Sequence, residues 1–253
     1  MLHYLAPFLA LGAALLGILG NTHDPRKKGW RRITRVGWWT ATLAAATLAF
    51  GIWQAWEQDR EQRILANQRA QLAAIGAGEI CAASLQLKAA FDILHGAATR
   101  DALPDGRDLG YPFKDLMDKG SLDSLGALDL LTNPPARPIA RDSRPLWQLV
   151  HHRAEEFTSR TNATLAKYGA YLDPELVVRA SLLLNDNFVQ SLLEMPSNVE
   201  HLRQIPGAAL SPLQAGQIDD YRTSINHLAG LMEKIEADPE RLTCKPLVTS
   251  TPR

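Results

Sequence analysis

The chain reads as all-α: an N-terminal two-helix transmembrane hairpin followed by a helical-bundle extracytoplasmic domain. Three observations predict this. Two runs without a charged side chain, 2–20 and 36–56, hold 19 and 21 residues. Beyond them, apolar residues recur at intervals of three and four. No stretch alternates convincingly with period two, as a half-buried strand would. No family motif is present, so each element is justified from its own residues.

At about 1.5 Å rise per residue, either apolar run spans a hydrocarbon core of roughly 30 Å as a helix. The loop between them, 21–35, carries Arg26, Lys27, Lys28, Arg31, Arg32 and Arg35 against the single acid Asp24. Lys and Arg in short loops beside membrane helices stay in the cytoplasm, so these six set the topology. The loop is expected inside, with the N-terminus and residues 57–253 outside, in a bacterial inner membrane. Trp30, Trp38 and Trp39 flank the basic loop, and Trp53 and Trp56 close the second run, where interfacial aromatic belts belong. A cleaved signal peptide fits less well, because its basic segment would precede the first apolar run rather than follow it.

The first run carries Ala6, Ala10 and Ala14, and the second Gly37, Ala41, Ala45 and Ala49, each at every fourth position. Small residues in a ladder let helix backbones approach closely in lipid. The ladders pack the hairpin on itself or one protomer on another. Neither helix has an ionisable residue at membrane depth, which argues against a proton relay or a selective ion path.

Residues 57–78 read as a helical connector that continues the second span, broken or kinked at Gly76-Ala77-Gly78. The domain proper is expected over 79–253. It opens with Ile80, Ser84, Leu87, Phe91 and Leu94 as a core-facing stripe, and Cys81 lies beside that stripe. From 97 to 143, Pro and Gly punctuate the chain, predicting a long loop with one or two short helices. Asp101, Asp105 and Asp108 fall in it without the spacing of a calcium-binding EF-hand loop.

Three amphipathic helices complete the domain. The first covers 144–172 with Val150, Phe157, Leu165, Tyr168 and Leu172 inward. Asp173-Pro174-Glu175 starts the second with an N-cap, a first-turn proline and a first-turn acid, and Pro196 is expected to end it. Ser211-Pro212-Leu213-Gln214 reads as a capping-box start for the third. Its Ile218, Tyr221, Ile225, Leu228, Met232 and Ile235 form the most regular stripe in the chain, and a bundle seam suits it better than a dimer zipper.

Charge and chemistry bound the function. Residues 57–253 hold 21 Lys/Arg and 26 Asp/Glu, a mildly acidic domain without a basic stripe, so nucleic acid is excluded as a partner. Outside the cytoplasm, Cys81 and Cys244 are expected to form a disulfide closing a loop of more than 160 residues. That bond would stabilise by about 3–5 kcal/mol on chain-entropy grounds. The alternative is two buried free thiols. His151, His152, Glu155 and Glu156 place two His/Glu pairs at four-residue spacing, the best metal candidates, yet no third ligand is indicated and a solvated ion-paired face explains them. No cofactor is implied, and no hydrolase, nucleotide-loop or dinucleotide motif is present. The sequence therefore predicts a membrane-anchored, non-enzymatic helical interaction or sensing module, in contact with the bilayer and with a protein partner or a second copy. Its alternative is a membrane-perturbing effector whose hairpins oligomerise through the small-residue ladders.

Overall fold

The computed structural model describes residues 35–99, 110–131, 144–205, 207–213 and 217–244. Every regular element among them is helical, and the only β pairing is an isolated bridge between Asp238 and Thr243. In chain order the helices are α1 (Arg35–Thr99), α2 (Phe113–Leu116), α3 (Lys119–Gly126), α4 (Leu146–Tyr168), α5 (Pro174–Leu184), α6 (Asn187–Leu193), α7 (Met195–Leu202) and α8 (Gln217–Lys234). Two compact units divide the chain at Gln68 and Arg69.

The described part of the first unit is the leading portion of α1. Among the described residues, this is the one helix whose length and composition allow it to cross a membrane. Only one of the two expected spans is therefore described; residues 2–20 and the basic loop side chains Arg26, Lys27, Lys28, Arg31 and Arg32, with Trp30, lie outside the described residues. Trp38, Trp39, Leu48, Ile52, Trp53 and Trp56 are all exposed, Trp39 at 69%. Thr42 and Thr47 turn their hydroxyls back onto the carbonyls of Trp38 and Leu43, at 2.8 and 2.7 Å. A hydroxyl satisfied within its own helix carries no unpaired donor into an apolar medium. Along the ladder, Gly37 is buried while Ala41, Ala45 and Ala49 are exposed.

The second unit is a bundle around one core. Ile80, Leu87, Phe91 and Leu94 of α1 are fully buried, as are Val150 and Phe157 of α4, Leu183 of α5, and Ile225 and Leu228 of α8. α5 packs on α8, α6 on both α4 and α8, and α7 on α4. At the centre Phe91, Phe188 and Tyr221 meet pairwise with ring centroids 5.0–5.6 Å apart, two of the three contacts edge-to-face. That geometry adds to the area each ring buries.

Three boundaries differ from the sequence reading. Gly76 and Gly78 do not break α1, which runs through them. A Cβ on Gly76 would lie 2.8 Å from the Tyr168 Cβ and 3.0 Å from Leu172 Cδ2. The glycine is thus a site of close helix approach, and packing outweighs its low helix propensity of about 1 kcal/mol. Pro196 opens α7 instead of ending the preceding helix, because a first-turn position has no intrahelical N–H bond to lose. The second of the three predicted helices is in fact α5 and α6, parted at Asn185 and restarted when Asp186 accepts the Phe188 N–H at 3.0 Å. α8 is described from Gln217; Gln214 of the expected capping box lies outside the described residues, and Ser211 Oγ accepts the Leu213 N–H at 3.2 Å.

Candidate functional site

A fully buried lysine is the starting point. Leu87 and Phe91 put α1's inward face at Lys88 and, one turn on, at Asp92. Lys88 is wholly inaccessible, the Asp92 side chain is 11% exposed, and the two form an ion pair. Phe113 lays its ring 5.4 Å from the Lys88 ammonium. Asp92 Oδ1 also accepts the Tyr111 N–H at 3.2 Å, while Oδ2 has no partner among the described residues. His95, one turn further, stands edge-on to Tyr111 at 4.3 Å.

Two backbone segments roof this pair. The first is Gly110–Phe113, entering α2. The second is the tail after α8, where Asp238 and Thr243 exchange backbone bonds and Asp238 caps the turn by accepting from the Glu240 and Arg241 N–H groups. Gly110 donates its N–H to the Glu240 carbonyl at 2.8 Å. A Cβ on Gly110 would sit 2.6 Å from the Pro239 carbonyl and 2.9 Å from Asp92 Oδ2, so only glycine permits this approach. Cys244 of this tail forms a disulfide with Cys81, two turns before Lys88 on α1, with Cα atoms 6.0 Å apart.

Burial governs the charges here. Desolvation raises the Asp92 carboxyl to about 6, against the pull of Lys88, and it lowers the Lys88 ammonium, against the pull of Asp92. Loss of water therefore outweighs the mutual attraction for both partners. Burial, followed by the Asp92 charge, also drives the Tyr221 phenol upward, and its hydroxyl has no partner among the described residues.

A second cluster joins α6 and α8. Asp186, 4% exposed at its side chain, accepts the Ser224 hydroxyl at Oδ1 and lies 3.2 Å from His227 Nδ1 at Oδ2. The aspartate stands between serine and histidine. That order fastens two helices together and does not activate the hydroxyl, since activation needs the histidine next to the serine.

The sequence-nominated metal residues are held apart by other partners. His151 Nδ1 bonds the Leu192 carbonyl at 3.0 Å, Glu156 pairs with Arg160 at 2.6 Å and Arg153 at 3.7 Å, and His152 and Glu155 are exposed. Among the described residues no three His, Cys, Asp or Glu side chains stand together as a metal site. Sequence reasoning missed Lys88 and Asp92, although a Lys/Asp pair four apart, each directly after an apolar stripe residue (Leu87 and Phe91), is a readable anomaly. Asp186, Ser224 and His227 left no signal, because 38 and 41 residues separate the partners.

No family description matches the chain, and no solved structure matches it. A partial likeness exists to the cyclic di-GMP phosphodiesterase NbdA of Pseudomonas aeruginosa, 34% identical over 128 residues, which covers 43% of this chain. The chain spans 16% of that relative's length. This match overturns the expectation of a non-enzymatic interaction or sensing module, and with it the membrane-perturbing alternative. No local catalytic motif accompanies the likeness, which is why reading motif by motif did not find it.

Proposed function

We propose that this chain takes part in enzymatic cyclic di-GMP signalling at a membrane, with its helical unit coupled to phosphodiester hydrolysis. The observation that carries the reading is the partial likeness to a cyclic di-GMP phosphodiesterase. The reaction adds water across one phosphodiester bond and releases a linear dinucleotide. Membranes from cells that make the full chain are expected to release linear dinucleotide from cyclic di-GMP faster than membranes from cells lacking it. Equal rates overturn the proposal.

The membrane arrangement belongs to the same proposal. Residues 36–56 cross the bilayer as the second arm of a hairpin whose first arm is 2–20. Arg35 and the other five basic residues of the loop hold it in the cytoplasm, and Trp38, Trp39, Trp53 and Trp56 sit at the two interfaces. What supports this is the exposure of large apolar side chains along α1 together with the charge asymmetry of the sequence. The partners are the bilayer and a protein, a second copy through the Gly37–Ala41–Ala45–Ala49 ladder included, and not nucleic acid. Placed outside the cytoplasm, residues 57–253 meet an oxidising compartment, which suits the Cys81–Cys244 bond. A periplasmic reporter fused after Arg253 is active on this reading and one inserted at Gly29 is silent. The reverse pattern removes the orientation.

A further inference from the structure

We infer that the Cys81–Cys244 disulfide is a redox latch: it holds the 238–244 tail over the buried Lys88–Asp92 pair, and its reduction opens that roof while the bundle stays folded. The bond joins the end of the tail to α1 close to the pair it covers. Between the latch and α8, the described tail is a self-contained turn closed by the Asp238–Thr243 bridge, so it can move as one piece. Its described hydrogen bond to the roof is that from Gly110 N–H to the Glu240 carbonyl, and Leu242 packs at the same glycine. The core beneath belongs to other elements, since Phe91, Phe188 and Tyr221 are held by α1, α6 and α8.

Access is uneven across the bond. Cys81 is buried at 2%, whereas Cys244 is only partly covered. An incoming thiolate thus reaches the Cys244 sulfur, displaces Cys81 as the leaving thiolate, and forms a mixed disulfide with the tail. With a dithiol as reductant, its second sulfur then releases Cys244. The protein disulfide gains two electrons and two protons, and the dithiol becomes a cyclic disulfide. The opened roof would uncover an ammonium and a carboxylate that the oxidised chain keeps from water.

The test uses the full chain in lipid nanodiscs, oxidised or treated with dithiothreitol, and reads hydrogen exchange together with acylation of Lys88. On reduction, exchange across 110–113 and 238–244 is expected to rise at least tenfold and Lys88 to become acylated. α5 and α8 keep their protection, and reoxidation restores the first pattern. A Cys244→Ser chain reproduces the reduced pattern without dithiol. Unchanged exchange at 110–113 and 238–244 overturns the latch. So does loss of protection in all helices together, which would make the bond a staple of the whole unit.

Discussion

Lys88→Met isolates the energetics of the buried pair. Methionine keeps the length and apolar character of the side chain and removes only the charge and its donors. Asp92 then retains the Tyr111 N–H at 3.2 Å as its described donor, with Oδ2 already unpartnered among the described residues. Removing one member of a buried ion pair typically costs about 3–5 kcal/mol, because the other is left charged without compensation. The upper half of that range applies here, since the Lys88 side chain is 0% and that of Asp92 11% exposed. Thermal and urea unfolding of the full chain in nanodiscs at pH 7, followed by far-ultraviolet circular dichroism, measures the loss. The cost is expected to fall below about 2 kcal/mol at pH 5, where an unpaired buried carboxyl takes up a proton and no longer needs a counter-charge. The double variant Lys88→Met/Asp92→Leu is expected to unfold within about 1 kcal/mol of the parent, as replacement of a buried pair by apolar residues is often neutral. A loss below about 1 kcal/mol at pH 7 for the single variant, or equal losses at pH 5 and 7, refutes the reasoning.

Other consequences are equally direct. Gly76→Ala is expected to cost about 1–3 kcal/mol by overpacking against Tyr168, whereas Gly78→Ala, with nothing within 4 Å of its Cβ, gains up to about 1 kcal/mol from helix propensity; the paired melting shifts should have opposite signs. Tyr221→Phe removes a buried hydroxyl without a described partner and is expected to be neutral or to stabilise by about 1 kcal/mol, readable in the same melts. The parent's own pH profile follows from Asp92, whose folded carboxyl at about 6 lies above the ordinary 3.8. The folded state keeps a proton that the unfolded state has lost, so stability falls as pH rises from about 4 to 6, by about 3 kcal/mol for this group alone. The lowered Lys88 acts in the opposite direction at alkaline pH, where the unfolded state holds a proton that the folded state has lost, and the lowered Asp173 and Glu175, both paired with Lys234, likewise make stability rise with pH, in acid below about 4. Unfolding by calorimetry between pH 4 and 8 checks the sign.

Much of the core was legible because local and tertiary forces agree there. Ile80, Ser84, Leu87, Phe91 and Leu94 recur at three and four residues, and the same side chains are fully buried. Asp173 caps α5 through the Glu175 N–H at 2.8 Å, as its position before Pro174 implies. Ile218 heads the most regular stripe yet stays 38% exposed, since periodicity gives a face and not the extent of its cover. Where the two levels disagree, packing prevails. Gly76 reads as a breaker only until Tyr168 is placed against it, and Pro196 reads as a stop until Asn185 has already ended the helix upstream.

The candidate site was hidden for a different reason. Its chemistry comes from distant segments brought over one turn of α1. Glu240 lies 130 residues beyond Gly110, yet its carbonyl receives that glycine's N–H. No short-range pattern encodes such a meeting. What the sequence does carry is the anomaly of Lys88 and Asp92 on an apolar face, where each charge alone would be costly and the pair at best breaks even. A pair that adds little to stability, roofed by two segments and tied by a covalent bond, is better explained by position than by energy. It fixes where Gly110 and the tail come to rest, through the Tyr111 N–H on one side and the glycine-only approach to Pro239 on the other. The Lys88→Met/Asp92→Leu chain separates the two roles. If the pair serves position, that chain keeps its melting temperature while exchange at 110–113 and 238–244 quickens with the disulfide intact. If both stay at parental values, the disulfide alone positions the roof.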